Sequence, residues 1–400
     1  MLGRVLVRAA NRVLGDRPHR SLRTGVRFQL VQFLRRWPDH YRVEWTRRPS
    51  PPAPRLRQIH LEPTNACNLR CVTCSNPRQT AATGLMPLQR AHEVIDQALR
   101  DVGPDCIVGF YLRGESTLHP ELPAMIRYAH ERGFRRLLLS TNLTRLDAAQ
   151  AEALLSSGLS ELRLSIDGAD AERFERIRAG ADFAQVCDHL ALLDATRRRL
   201  GVRVHFRLHA TLDADGLRTV PRFLQRFGGV IDRFKLCVAV NQGGLFDAPA
   251  AAALSELRFA VASGWQRPCR ILFEYAGVTW DGKVGSCCVD YHDRFVAGRL
   301  DDGIRQTFEN RQSEALREDH RRGSLGPECA ACGFSNALVD WFEDELNLYV
   351  EAHARTLQEP AGAARYQRWL TRTIDKFNQL ADDRRAPAPA SPRRLPQVGA

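Results

Sequence analysis

The chain has 400 residues, which is long enough for one large domain or for two or three smaller ones. Its formal net charge of +12 is concentrated at one end, because residues 1–57 carry 14 arginines and three acids. The other 343 residues are therefore close to neutral and offer no basic face for nucleic acid. The sequence has no apolar run of about 18 residues and no secretory signal, so we expect a cytoplasmic protein.

Residues 1–57 are predicted to be a separate basic helical segment that ends in a proline-rich linker. Arg4, Arg8 and Arg12 share one face of the predicted helix, and apolar residues are available for another face. Through residues 1–48 such a helix could bind an anionic membrane surface or an acidic partner. A packing arm that covers the rest of the chain is an equally good interpretation, and an organellar transit peptide is a further alternative.

From residue 58 to about 245, strand-like and helix-like runs alternate. Strands are predicted at 58–62, 106–112, 136–141, 161–166, 202–209 and 233–240. Helices are predicted at 87–101, 121–132, 147–157, 170–178, 183–200 and 217–227. Six strand–helix units in series indicate an α/β fold, with a parallel sheet and helices outside it.

Alternation along four of these strands places polar side chains on one face. The residues of this polar face are His60, Glu62, Arg163, Ser165, Asp167, Arg203, His205, Arg207, His209, Lys235 and Cys237. Closed parallel barrels fill their interior with branched apolar side chains, so a polar interior predicts a cavity that binds a ligand. The alternative is that some of these charges pair with each other or lie at the wet rim.

The predicted interior contains more cations than acids. Guanidinium groups suit carboxylate or phosphate, so we expect a small-molecule substrate that carries an anionic group. The cations that support this expectation are Arg113, Arg163, Arg203, Arg207 and Lys235.

Three cysteines, Cys67, Cys71 and Cys74, follow the first predicted strand at spacings of four and three residues. Three thiolates on one short loop can bind three irons of a [4Fe–4S] cube and leave the fourth iron open. A structural zinc site would use four ligands, so a zinc loop fits less well, as does simple core packing. The 11 cysteines of the chain are an odd number in clusters, which indicates metal chemistry in a reducing compartment.

This CxxxCxxC motif resembles the signature of the radical S-adenosylmethionine (SAM) superfamily, which follows the first strand of a partial (β/α)6 barrel. The resemblance implies that the amine and carboxylate of SAM bind the open iron of the cluster. It further implies that one electron cleaves SAM to a 5′-deoxyadenosyl radical, which takes hydrogen from a substrate carbon. A reduced flavodoxin or ferredoxin would then be the electron donor.

Later motifs resemble the parts of this family that contact SAM. Arg113-Gly-Glu-Ser116 stands where the family has a GGEP-like turn, although Ser116 replaces the proline. Ser140-Thr-Asn142 resembles the turn after the third strand, and Leu164 to Gly168 with Arg176 to Arg178 resembles the stretch that contacts ribose and carboxylate. By this resemblance, the SAM-binding residues are Gly114, Glu115, Ser116, Asn142, Ser165, Asp167 and Arg178.

A second cysteine set begins near residue 265. Cys269 precedes a predicted hairpin, Gly282 stands five residues before Cys287, and Cys329-Ala-Ala-Cys332 closes the set. This pattern resembles the SPASM/twitch extension and implies one auxiliary [4Fe–4S] cluster, with Cys288 as a spare. The implied ligands are Cys269, Cys287, Cys329 and Cys332. Four cysteines would also suit a zinc ion, which remains an alternative.

We expect a barrel over residues 58–262, a SPASM/twitch-like domain over 263–337 and a helical tail over 338–400. Within the tail, a helix is predicted from Leu338 to Leu380, followed by a disordered end rich in Pro, Arg and Ala.

The expected function is that of a radical SAM oxidoreductase or epimerase acting on a sugar-like or aminocyclitol-like small molecule. A SPASM-type maturase of a ribosomal peptide and a non-catalytic metal-cluster scaffold are the alternatives. Cys237 is predicted to face the interior near the end of the sixth strand, where barrel chemistry takes place. Its thiol could donate a hydrogen atom to a substrate radical, and the alternative is a cysteine that only fills space.

Overall fold

A computed structural model of the protein describes residues 53–240 and 266–382. The predicted amphipathic helix of the N-terminal segment and the predicted disordered end lie outside the described residues. None of the helices in these two ranges is long and apolar enough to cross a membrane.

Nine strands in the described part of the chain form one sheet. They are β1 (Gln58–Leu61), β2 (Ile107–Phe110), β3 (Arg136–Thr141), β4 (Glu161–Ser165), β5 (His205–Leu212), β6 (Arg233–Val238), β7 (Tyr275–Val278), β8 (Lys283–Gly285) and β9 (Val296–Arg299). Their order across the sheet is β6-β5-β4-β3-β2-β1-β7-β8-β9. The pairs from β6 to β7 are parallel, and β8 and β9 continue the sheet antiparallel.

Twelve α-helices connect or cover these strands in the same ranges. They are α1 (Leu88–Asp101), α2 (Leu122–Glu131), α3 (Ala148–Leu155), α4 (Ala171–Ile177), α5 (Phe183–Leu200), α6 (Ala214–Arg218), α7 (Val220–Phe227), α8 (Ile304–Glu309), α9 (Arg311–Arg322), α10 (Pro327–Ala330), α11 (Ala337–His353) and α12 (Pro360–Asp382). Short 3₁₀ turns occur at Asn76–Arg78, Ser116–Leu118, Arg270–Phe273, Leu300–Asp302, Gly333–Ser335 and Thr356–Gln358.

The predicted α/β fold with a parallel sheet is confirmed, because the six predicted strands lie side by side in chain order. The fifth strand begins three residues later than predicted, since its partner β4 begins at Glu161, which pairs with His205. The predicted helix 217–227 is two helices, with Pro221 in the first turn of the second. The predicted tail helix is likewise divided into α11 and α12.

Alternation along the strands separates two environments. In β5 the residues from Phe206 to Leu212 alternate between buried apolar and partly exposed polar positions. The apolar side faces the helices: α1, for example, buries Ala91, Val94 and Ile95. The polar side forms the interior face that the sequence predicted.

The C-terminal part of the chain extends the barrel sheet directly. β7 pairs in parallel with β1, from Gln58 opposite Tyr275 to Leu61 opposite Val278. The predicted hairpin follows as β7 and β8, and Gly282 in its turn has a φ of +86°, which favours glycine. Thus β1 is a central strand, with β2 on one side and the extension on the other.

A buried arginine joins the carboxyl ends of β1 and β2 to the loop before β9. Arg113 donates from Nε and Nη2 to the two carboxylate oxygens of Glu62, at 2.7 and 2.9 Å. Its Nη1 donates to Asp293 at 2.8 Å. The side chains of Arg113 and Glu62 are 2% and 0% exposed, so each charge depends on the other for compensation.

We expect Arg113→Met to lower the free energy of unfolding by about 3–5 kcal/mol, because it leaves Glu62 as a buried and unpaired charge. Arg199→Ala is the matched control, since Arg199 and Glu152 form an ion pair in which each side chain is at least half exposed. That change should cost at most about 1 kcal/mol. Urea unfolding of cluster-loaded protein under anaerobic conditions measures both, and equal losses would contradict the interpretation.

Candidate functional site

The first cysteine set lies on the loop between β1 and α1, and backbone hydrogen bonds hold this loop from two sides. Arg70 and Val72 donate to the carbonyls of Ala179 and Ile177 after β4, at 3.0 and 2.9 Å. The amide of Glu115, after β2, donates to the carbonyl of Ala66 at 2.8 Å. The loop that carries Cys67, Cys71 and Cys74 is therefore positioned by neighbouring strand ends.

The turn after β2 presses against this loop. A Cβ atom at Gly114 would lie 2.4 Å from the carbonyl oxygens of Thr64 and Ala66, so any larger residue would displace the loop. The hydroxyl of Ser116 is buried and has no hydrogen-bond partner within the described ranges. A buried hydroxyl beside the cysteine loop is a ready contact for a bound ligand.

Two carboxylates predicted to contact SAM have partners in the protein. Glu115 accepts hydrogen bonds from the Asn142 amide at 2.7 Å and the Thr117 hydroxyl at 2.7 Å, and burial raises the pKa of Glu115. Asp167 lies 2.8 Å from Nε of Arg178 and accepts from the Thr211 amide at 2.7 Å. These two residues connect successive strand ends, so they position backbone around the site.

The remaining predicted SAM-binding residues follow the same strands. Asn142 follows β3 and donates weakly to the sulfur of Cys67, at 4.0 Å. Ser165 is the last residue of β4, and Arg178 caps the C-terminus of α4. Direct contact of these groups with SAM stays a prediction.

The first cysteine set fits an iron–sulfur cluster. Burial raises the pKa of Cys67 to about 11 and that of Cys71 to about 12, so both are protonated at neutral pH in the absence of metal. Iron binding replaces these protons, because the thiolate is the ligand form. The loop supplies three thiols, which suit three irons of a cube and leave the fourth for another ligand.

Most of the predicted interior cations are paired with acids, as the alternative interpretation of the polar face allowed. Arg163 and Arg207 both contact Glu161, at 2.8 and 3.1 Å, and Lys235 contacts Glu343 at 3.1 Å. Arg113 is paired with Glu62 and Asp293, as described above. Arg203 lies before β5 and is exposed. Two of these partners lie far from the strands along the chain, Glu343 on α11 and Asp293 on a loop, so the strand pattern could not show them. Glu161 lies on β4 itself, two residues before Arg163.

Neutral polar groups in the interior lack partners instead. The Nε2 atom of His60 and the hydroxyl of Tyr275 are buried, and neither is hydrogen-bonded within the described structure. The rings of Tyr111 and Tyr275 lie 4.5 and 4.8 Å from the His60 ring, and desolvation lowers the pKa of His60 to about 3. His60 is therefore neutral at pH 7, and this cluster offers uncharged hydrogen-bonding groups.

Cys237 lies where the strand pattern placed it, on the same face of β6 as Lys235. Its sulfur is 3.2 Å from Nε2 of His209 on the neighbouring strand β5. Burial raises the pKa of Cys237, so the group is a thiol at neutral pH. Desolvation lowers the pKa of His209 to about 3, so its ring is neutral.

The second cysteine set surrounds one cavity, which is partly open to solvent. The sulfur-bearing residues that line it are Cys269, Cys287, Cys288, Cys329 and Cys332. Most of the remaining lining is apolar, and the donor set fits an iron–sulfur cube held by four thiolates. Both Cys287 and Cys288 line the cavity, so either can complete a set of four.

Tyr291 connects the two cysteine sets. It lines a second cavity, together with Cys287, Cys329 and Cys332. Its hydroxyl lies 3.8 Å from the sulfur of Cys74. The sequence carried no signal for this contact. Tyr291 lies three residues after Cys288 and resembles an ordinary loop tyrosine.

Two family models match the chain. The radical SAM superfamily matches residues 61–205, and the SPASM iron–sulfur cluster-binding domain matches residues 269–333. Mycofactocin maturase MftC of Mycobacterium ulcerans is 27% identical over 308 residues, which cover 68% of this chain and 79% of that protein. An AdoMet-dependent heme synthase of Nitratidesulfovibrio vulgaris is 24% identical over 280 residues, which cover 68% and 70%.

Solved structures of similar fold include Streptococcus suis SuiB bound to S-adenosylmethionine. Its TM-score is 0.53 at 14% identity, over 72% of this chain and 74% of that chain. At this identity the likeness shows the fold alone.

We expect a variant in which Cys67, Cys71 and Cys74 are all replaced by alanine to keep about half of the roughly eight irons of two cubes. It should lose SAM cleavage entirely, because the remaining iron would belong to the second cysteine set. Iron analysis after anaerobic reconstitution and chromatography of 5′-deoxyadenosine measure the two quantities. Cleavage that survives the triple substitution would refute the ligand assignment.

Proposed function

We propose that this protein, a radical SAM enzyme with a SPASM iron–sulfur domain, oxidises or epimerises a carbon of a hydroxyl-rich small molecule such as a sugar or an aminocyclitol. When bound, the SAM-binding [4Fe–4S] cluster and SAM supply a radical that abstracts hydrogen, and the auxiliary cluster supplies an electron acceptor or relay. The residues of the chain bind the substrate, orient it and determine what happens to the carbon.

The observation that carries this proposal is the pair of neutral groups, Nε2 of His60 and the hydroxyl of Tyr275, that lack partners in the described interior. The neighbouring Tyr111 hydroxyl already accepts a hydrogen bond from Arg163. Buried polar groups without partners are costly, so a ligand that bonds to them is favoured. Burial raises the pKa of Tyr275 well above its usual value, so its hydroxyl remains a donor across the working pH range. Neutral donors and acceptors suit hydroxyl groups. An anionic substrate has less support, because the cations expected to bind it are paired or exposed.

Cys237 is the proposed hydrogen-atom donor to the substrate carbon. Its raised pKa keeps hydrogen on the sulfur, and only the thiol form can give up a hydrogen atom. In that step the S–H bond breaks and a C–H bond forms, which leaves a thiyl radical at Cys237. One electron from the flavodoxin-type or ferredoxin-type donor and one proton then restore the thiol. Donation from the face opposite to abstraction inverts the carbon.

A second candidate is maturation of a ribosomal peptide. The relative that favours it is mycofactocin maturase MftC, since the matching region covers 79% of that protein. The two candidates differ in the size of the substrate, so one assay separates them.

We expect holoenzyme with SAM and a reductant to turn over at least one member of a panel of neutral sugars and aminocyclitols. Formation of 5′-deoxyadenosine should rise above its uncoupled rate. The product should be two mass units lighter than the substrate, or equal in mass with one inverted centre. Liquid chromatography with mass spectrometry measures all three. Turnover of short peptides alone would reject this function in favour of the second candidate.

Tyr275→Phe tests the neutral cluster with the same assay. It should raise KM about tenfold, the effect of one lost hydrogen bond in a buried site. Tyr366→Phe is the matched control, because Tyr366 is equally buried and donates to the Leu217 carbonyl, away from the interior face. Its KM should match that of the wild type.

For an epimerisation, turnover in D2O should place one solvent deuterium at the reacting carbon. Cys237→Ala should abolish this deuterium, because the exchangeable S–H hydrogen is its source. Nuclear magnetic resonance of the product measures the label. A carbonyl product whose yield Cys237→Ala leaves unchanged would instead identify a dehydrogenase and eliminate the donor role.

A further inference from the structure

We propose that His320 donates a hydrogen bond to the auxiliary cluster and thereby raises its reduction potential. His320 lies on α9, is 2% exposed and lines the cavity formed by the second cysteine set. The proposal depends on a cluster in that cavity, and it holds whichever substrate the enzyme takes.

The orientation of the ring fixes which nitrogen carries hydrogen. The backbone amide of Cys269 donates to Nδ1 of His320 at 3.3 Å, so Nδ1 is an acceptor. In a neutral imidazole the hydrogen then lies on Nε2. This Nε2 is buried and makes no hydrogen bond to any described residue. The Cys269 amide thus holds the His320 ring in place, and the Nε2–H group is a buried donor without an acceptor among the described residues.

Sulfur is the acceptor that the cavity offers. Beside the five cysteines its lining is apolar except for Ser286 and Ser335. The hydroxyl of Ser335 already donates to the carbonyls of Cys329 and Cys332, at 3.3 and 3.2 Å. A buried N–H without an acceptor is destabilising, and a cluster sulfur in the cavity would remove that cost.

The same geometry disfavours His320 as a fifth ligand. Ligation through Nε2 would require the hydrogen to move to Nδ1, which would break the hydrogen bond from the Cys269 amide. The cavity already supplies more than four thiols, so no histidine is needed to complete the cube.

A donor to a cluster sulfur stabilises the reduced form, because the reduced cluster carries more negative charge. The hydrogen bond from His320 therefore raises the reduction potential of the auxiliary cluster. A higher potential makes that cluster a better acceptor for an electron from a substrate radical.

The test uses the variant with Cys67, Cys71 and Cys74 replaced by alanine, so that the auxiliary cluster alone contributes to the spectra. In this background His320→Leu should leave the iron content near four per chain and shift the reduction potential to a more negative value. A redox titration followed by electron paramagnetic resonance measures the shift. Electron–nuclear double resonance in H2O and D2O should show an exchangeable proton coupled to the cluster, which His320→Leu removes.

Two further variants make the outcome decisive. His320→Gln keeps an N–H donor and should recover part of the shift and of the proton coupling. His119→Leu removes another buried histidine, whose Nε2 contacts the Met86 carbonyl, and should change neither quantity.

The proposal is overturned if His320→Leu keeps the potential and the proton coupling, or if both His320 variants lose most of the iron, which would make His320 a ligand or a structural element. A parent variant without any iron would reject the auxiliary cluster itself. None of these measurements uses a substrate, so their outcome does not depend on the proposed substrate class.

Discussion

The bidentate pair between Arg113 and Glu62 is the contact on which the site depends. It holds the carboxyl ends of β1 and β2 together, and Asp293 adds the C-terminal extension to the same guanidinium. The next residue, Gly114, touches the cysteine loop, and Glu115 then binds the amide of Asn142. Three consecutive residues thus connect the ends of β1, β2 and β3 with the cysteine loop. A shift of the arginine would therefore disturb Gly114, Glu115 and the cysteine loop beside them.

The C-terminal extension carries the second cysteine set and also contributes side chains to the interior of the barrel. Tyr275, at the start of β7, completes the neutral cluster with His60 because β7 pairs beside β1. Glu343, on α11, neutralises Lys235 and accepts from the Val238 amide. Residues far beyond the barrel strands therefore determine which interior groups are paired and which are left for a ligand.

Local patterns predicted the six barrel strands, the polar face and both cysteine sets, because each depends on spacing within a few residues. Pairing across long sequence separations could not be predicted this way. No local pattern indicated that Asp293, 180 residues later, contacts Arg113. Lys235 likewise pairs with a residue 108 positions away. Similarly, the residues around His320 in the sequence do not indicate that its Nδ1 accepts a hydrogen bond from Cys269. Nor do they indicate that its Nε2 has no partner among the described residues.

The position of β1 between β2 and β7 has a consequence for biosynthesis. While the chain emerges from the ribosome, β1 pairs with β2 early, but its other edge stays bare until residue 275 has been made. At about 5–20 residues per second this interval lasts roughly 10–40 s. Bare strand edges pair readily with other chains. Until its last third has been translated, the nascent chain therefore carries an unpaired edge of β1 that other chains can pair with.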